Sequence, residues 1–293
     1  MQFGDYRVEV IPDTEFRLDG GAMFGVVPRV LWERVCPTDD LNRVRLNMNC
    51  VFIETPAERI LIETGIGEKW SEKETRMYGI FREKPFAQSL FEITGCRPDD
   101  ITIVVNTHLH FDHAGGNTIG TRDASLEPSC ATTLVPQFPN ARYFVSRSEF
   151  DHAGRPHERD RASYLPENWE PVVSAGQIEL KPGNYAVVDG LSMEKVVGHS
   201  KTMQTWRLDR GGQTLYGFAD LVPTRHHLSL PWIMGYDLYP AETLEFKKKT
   251  LPRAIAENWI CLFYHDFEVP LCGVVEENGK PIAQSMAASS FAA

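Results

Sequence analysis

Thr107-His108-Leu109-His110-Phe111-Asp112-His113 sets three imidazoles and a carboxylate within six consecutive positions, 108 to 113. The stretch leaves the C-terminal end of Ile101–Val105, a short β-branched apolar run that predicts a strand. His108 and His110 are two apart, and in extended backbone that spacing puts both rings on one side. Gly115 and Gly116 follow and are expected to let the chain turn sharply. A structural zinc is usually closed by cysteine and histidine, and no cysteine is near. More donors than one ion comfortably takes point instead to two ions, as in hydrolytic two-metal sites. The simpler account makes these ordinary strand-end residues, with Asp112 capping the next helix. It covers each residue singly but not the cluster.

Further donors repeat the same placement. His199 stands after Gly198 beyond the predicted strand Met193–Val197, Asp220 ends the predicted strand Thr214–Ala219, and His265 ends Trp259–Tyr264. Strand ends converging on one sheet edge give a rigid metal site.

The remaining chain bounds the reading. With 293 residues, 42% apolar and 24% charged, it has ordinary globular composition and enough length to bury a core without a structural metal. The formal charge of −10 and the lack of a basic stripe argue against nucleic acid. The longest basic run, Lys247-Lys248-Lys249, is expected on a solvated helix face. No run approaches the length of a membrane span, and the N-terminus lacks an export signal, so a cytoplasmic protein is expected. Cys36, Cys50, Cys96, Cys130, Cys261 and Cys272 form no Cys-x-x-Cys pair and are expected as buried free thiols.

Predicted strands at Tyr6–Ile11, Asn49–Glu54, Arg59–Glu63, Arg142–Val145 and Thr202–Leu208 join those above. Predicted helices cover Pro28–Val35, Lys84–Thr94 and Thr243–Glu257, and Glu149–Arg161 reads as a polar surface helix and loop. This order is neither a βαβ repeat nor an all-β meander. It fits an α+β class with two sheets and helices outside. Residues 20–46, rich in glycine, proline and apolar side chains, are expected to insert over a pocket in a single domain spanning 1–293.

The run resembles the His-x-His-x-Asp-His signature of the metallo-β-lactamase superfamily, and His199, Asp220 and His265 match its remaining ligands in order. The resemblance implies a four-layer αβ/βα sandwich. It implies His108, His110 and His199 around one ion, Asp112, His113 and His265 around another, and Asp220 bridging both. Two divalent cations are expected, zinc first. Within the superfamily the chain is most similar to quorum-quenching N-acyl-homoserine lactonases, through Gly21–Pro28, Arg161–Pro166 and Asp220–Thr224. That implies a small ester or lactone substrate opened by a hydroxide between the ions, with Asp112 and Asp220 in catalytic roles. A homodimer is entertained.

Two departures bear on this. Relatives carry aspartate where Glu63 stands, a residue that orients a metal ligand, and the extra methylene requires a small shift. Homoserine lactonases carry a tyrosine where Pro223 stands, so a hydroxyl donor is absent there; His226 or His227 is a candidate replacement. Met23, Phe24, Trp32, Met48, Trp232, Met234 and Tyr236 are candidates for either an acyl pocket or core packing. The alternatives kept open are an arylesterase, a phosphotriesterase, a β-lactam or thioester hydrolase, a non-hydrolytic binding protein, and an iron-holding oxidoreductase on the same scaffold.

Overall fold

The computed structural model describes residues 1–121 and 133–286. Two seven-stranded sheets dominate it. The first runs in the spatial order Gln2–Phe3, Tyr6–Asp19, Arg43–Glu54, Arg59–Ile62, Ile103–Val105, Arg142–Ser146, Ile178–Lys181. Its early strands are antiparallel; from Arg59–Ile62 onward the pairings are parallel. Parallel central strands are covered on both faces and so read as continuous apolar runs. Ile60–Ile62 and Ile103–Val105 are accordingly buried throughout.

The second sheet orders Tyr185–Val188, Leu191–Lys195, Gln204–Arg210, Gln213–Gly217, Ile260–Leu262, Leu271–Glu277 and Lys280–Gln284. Only its Gln213–Gly217/Ile260–Leu262 pair is parallel, with the helix Pro240–Ala256 carrying the crossover. One apolar cluster joins the two sheets, including Val51, Ile62 and Val104 from the first and Trp206, Leu208 and Leu262 from the second. Asn49 fastens them: its Nδ2 donates to the carbonyls of Tyr264 (2.9 Å) and Asp266 (2.8 Å). Helix Phe86–Thr94 packs outside the first sheet and Pro240–Ala256 outside the second, giving the αβ/βα sandwich.

Several expectations need correction. The predicted strand Tyr6–Ile11 continues to Asp19, because it pairs with a strand that begins at Arg43. Gly115 and Gly116 are needed for close approach rather than a sharp turn. A Cβ at either would lie 2.2 Å from the Ile66 carbonyl or 2.1 Å from that of Thr64. Lys247 is fully buried despite its basic neighbours, its Nζ donating to the carbonyls of Ser229 (2.6 Å) and Trp232 (2.9 Å). The polar segment after residue 146 is not all surface either, since Glu149 is fully buried. Cys50, Cys96, Cys261 and Cys272 are buried free thiols and Cys36 is half-buried; Cys130 lies outside the described residues. Among the described residues no helix is long and apolar enough to cross a membrane.

Candidate metal centre

The strand Ile103–Val105 ends at the sheet edge, and the extended residues after it deliver His108 and His110 before the short helix Phe111–Ala114 begins. That helix carries Asp112 and His113. His199 lies beyond Leu191–Lys195, Asp220 on the one-turn helix Ala219–Leu221, and His265 beyond Ile260–Leu262. All seven side chains meet, and all are buried.

Their donor atoms fall into groups. His108, His110 and His199 form one triad and Asp112, His113 and His265 another, each with its atoms within 4.8 Å of one another. Asp220 divides its carboxylate between them. Oδ2 lies 3.5 Å from His199 Nε2 and 3.9 Å from His108 Nε2. Oδ1 lies 3.1 Å from His113 Nε2 and 3.2 Å from His265 Nε2. His108 Nε2, His113 Nε2 and Asp220 Oδ1 are buried without a hydrogen bond among the described residues, which burial makes costly. His110 Nδ1 and His199 Nε2 approach to 3.1 Å. Cations between these atoms would satisfy all of them, so the donor set fits a pair of divalent ions. A third grouping, Glu63 with His108 and His113, is less apt. Glu63 Oε1 already accepts from the Thr107 amide at 3.0 Å.

Burial first, then neighbouring imidazoles, hold His108 and His110 well below the usual histidine range. They are therefore neutral, the state in which imidazole binds a metal. Burial opposes ionisation of Asp220, but His113 and His265 outweigh it and keep its carboxyl well below the ordinary value.

A further set of groups aims the donors. Thr107 Oγ1 lies 3.0 Å from His108 Nδ1, and Asp237 Oδ1 lies 3.0 Å from His199 Nδ1 while Oδ2 accepts from Thr243 at 2.6 Å. His265 Nδ1 donates to the Asn47 carbonyl at 3.0 Å. Glu63, wholly buried, sits 3.4 Å from His113 Nδ1. It adopts a left-handed φ of 63°. Glu149 Oε1 accepts from the Leu109 amide (2.8 Å) and the Tyr164 hydroxyl (3.0 Å), which pins the residue between two histidines. Burial raises its carboxyl above the ordinary range. Glu149, Asp237 and Asn47 were not singled out in the sequence. Nothing local marks them, because each acts on a residue remote in the chain.

A cavity of about 400 Å³ opens onto His110, Asp112, His199, Asp220 and His265. Leu18, Ala22, Met23, Phe111 and Met234 form its apolar wall; Tyr78, Tyr236, Arg159, Asp160 and Ser163 supply polar groups. The candidate aromatics thus divide. Met23, Met234 and Tyr236 face the cavity, whereas Phe24 stacks on Trp32 at 5.0 Å and on His227 at 4.8 Å within the core. His227 has both nitrogens engaged, by Thr224 Oγ1 and the Met23 carbonyl at 2.8 Å each. His226 lines a second hollow with Arg225 and Asp266, which shares His265 with the first. Neither lines the cavity onto which the candidate ligands open.

The sequence model of the metallo-beta-lactamase superfamily matches residues 44–245, well over half the chain. The chain belongs to this superfamily. A curated relative, the N-acyl homoserine lactonase of Bacillus cereus, is 29% identical over 247 residues, covering 78% of this chain and 84% of the relative. Among solved structures, a probable metal-dependent hydrolase from Staphylococcus aureus superposes with a TM-score of 0.86 at 27% identity, covering 98% of this chain and all of the other. A dizinc quorum-quenching lactonase with a hexanoyl-homoserine product shares the fold at TM-score 0.75 and 17% identity, with 98% and 96% of the chains covered. The chain is thus a superfamily metallo-hydrolase, with histidine and carboxylate groups gathered to bind metal.

Proposed function

We propose that the protein opens lactone rings, with N-acyl-homoserine lactones as substrates. The observation that carries the reading is the division of the Asp220 carboxylate, one oxygen toward each triad. His108, His110 and His199 would hold one divalent ion and Asp112, His113 and His265 the other, with Asp220 shared between the two groups; zinc is the ion proposed. When bound, the ions supply an activated water at neutral pH and positive charge for the carbonyl oxygen.

The chain's own groups do the rest. Asp112 lies on the cavity wall, 3.5 Å from His265 Nε2, and is placed to take the proton released by the attacking water. It returns that proton to the ring oxygen as the C–O bond breaks, leaving an acid and an alcohol in one molecule. The Tyr78 and Tyr236 hydroxyls make no hydrogen bond among the described residues. They are the phenols available to the substrate carbonyl in place of the hydroxyl missing at Pro223. Leu18, Met23 and Met234 offer an apolar surface for an acyl tail. We read 1–293 as one domain in which the 20–46 insertion, through Ala22 and Met23, closes the pocket against water.

The test is a panel of homoserine lactones of increasing acyl length, aryl esters, phosphotriesters and a chromogenic β-lactam, each with and without chelator. Chelator-sensitive lactone turnover that changes with acyl length is expected. Preference for another class by an order of magnitude would overturn the substrate assignment.

A further inference from the structure

Helix Pro240–Ala256 turns two polar side chains inward, Thr243 and Lys247, four residues apart on one face and both fully buried. Both hold the same neighbouring segment, residues 229–237. Thr243 Oγ1 donates to Asp237 Oδ2 at 2.6 Å, at the end that orients His199. Lys247 Nζ donates at the other end, to the carbonyls of Ser229 (2.6 Å), Leu230 (3.2 Å) and Trp232 (2.9 Å). Met234, part of the wall of the metal-centre cavity, lies in the chain between these two anchors.

A lysine ammonium has three N–H donors, and here three carbonyls accept them. Among the described residues no carboxylate forms an ion pair with it, and burial pulls its pKa down to about 7 against the charge of Asp237. An apolar side chain would fill that helix face without the cost of burying a charge. What the ammonium adds is a donor at the point where the three carbonyls converge, and so a fixed shape for the turn that leads to Met234.

That turn supports a second layer. The Gly235 amide donates to the Ala22 carbonyl at 2.7 Å, and Trp232 packs edge-on against Phe24 at 5.6 Å. Gly25 approaches the Ile233 carbonyl so closely that a Cβ would lie 2.5 Å from it. The 20–46 insertion thus rests on residues 232–235, and its Met23 lines the cavity together with Met234. Lys247 itself does not line the cavity; it stands behind the wall.

We infer that Lys247 is a positioning residue: by gathering these carbonyls it sets the apolar wall of Met23 and Met234 against which a substrate's acyl tail binds. The inference rests on the lactonase reading of this site and assigns control of acyl-length preference to a residue outside the cavity.

The test compares kcat and KM of the metal-loaded enzyme for N-butanoyl- and N-decanoyl-homoserine lactone at about pH 6, where the ammonium predominates. Lys247→Met should raise KM for the decanoyl substrate about tenfold, the worth of one or two hydrogen bonds. Its kcat on both substrates, its KM for the butanoyl one and its bound metal should stay within about twofold of wild type. Asp237 keeps its own anchor in Thr243, which is why the metal centre is spared. Lys247→Gln retains amide donors and should give an intermediate decanoyl KM; it carries the comparison if the methionine variant does not fold. A lysine with a merely structural role would lower kcat or metal content alike for both substrates, and that result overturns the inference. So does an unchanged decanoyl KM, or the failure of both variants to fold. A wild type that opens neither lactone overturns the lactonase reading and this inference together.

Discussion

Two buried neighbourhoods of histidine lie within this fold, and they differ in how their polar atoms are satisfied. At the strand-end edge, His108 Nε2 and His113 Nε2 are buried with no hydrogen-bond partner among the described residues, facing a shared carboxylate. In the loop after Asp220, His227 is equally buried but hydrogen-bonded at both ring nitrogens and stacked on Phe24. The first arrangement is unfinished without cations; the second is complete as folded protein. Burial of a histidine therefore says little about ligation, and the unsatisfied nitrogen says much.

The contrast is open to direct tests. The largest effect belongs to Asp220→Ala, which should lower kcat/KM by roughly a thousandfold or more and reduce bound metal by about one equivalent in elemental analysis. Retention of both ions with near-normal turnover would break the division of roles. Removing the ions with chelator should next lower the melting temperature, because unpartnered atoms are then left buried. Ions at a thousandfold excess over Kd should restore about 4 kcal/mol. A melting curve indifferent to metal would mean the edge is already satisfied.

Asp237→Asn comes third. It keeps the shape beside His199 but weakens the bond that aims its ring, so metal affinity should fall about 10- to 100-fold in competition with a chromogenic chelator. Unchanged affinity would show that His199 is held by packing alone.

The smallest effect at neutral pH is expected at His227. Burial pulls its proton affinity down to about 3 from the ordinary 6.5. The unfolded chain binds a proton near 6.5 that the fold refuses until about 3, so stability should drop as pH falls through that window. The slope is about 1.4 kcal/mol per pH unit at most. His227→Gln should flatten the slope in urea unfolding from pH 7 to 4, with turnover at pH 7 within about twofold of wild type. A parallel slope in both proteins would remove His227 as its source.

Much of the fold and the site was legible in the chain. The strand and the ligand cluster around residues 101–113 follow from local pattern, and the later donors stand out because each trails an apolar run. What stayed hidden depended on long loops closing. Glu149 looked like a surface acid because its helix is polar, yet it reaches the Leu109 amide forty residues earlier in the chain. Lys247 looked solvated among lysines, yet it gathers carbonyls from the Ser229–Trp232 loop.

Residues close in sequence settle their relative geometry through backbone spacing, so the chain alone determined that His108 and His110 share one side and that Asp112 and His113 follow directly. Which carboxylate oxygen of Asp220 faces which imidazole was decided only in three dimensions. So was the placing of Tyr236, rather than a residue near Pro223, on the cavity wall. Those positions depend on two sheets packing face to face, where atoms far apart along the backbone are brought within hydrogen-bonding reach by burial of the shared apolar core.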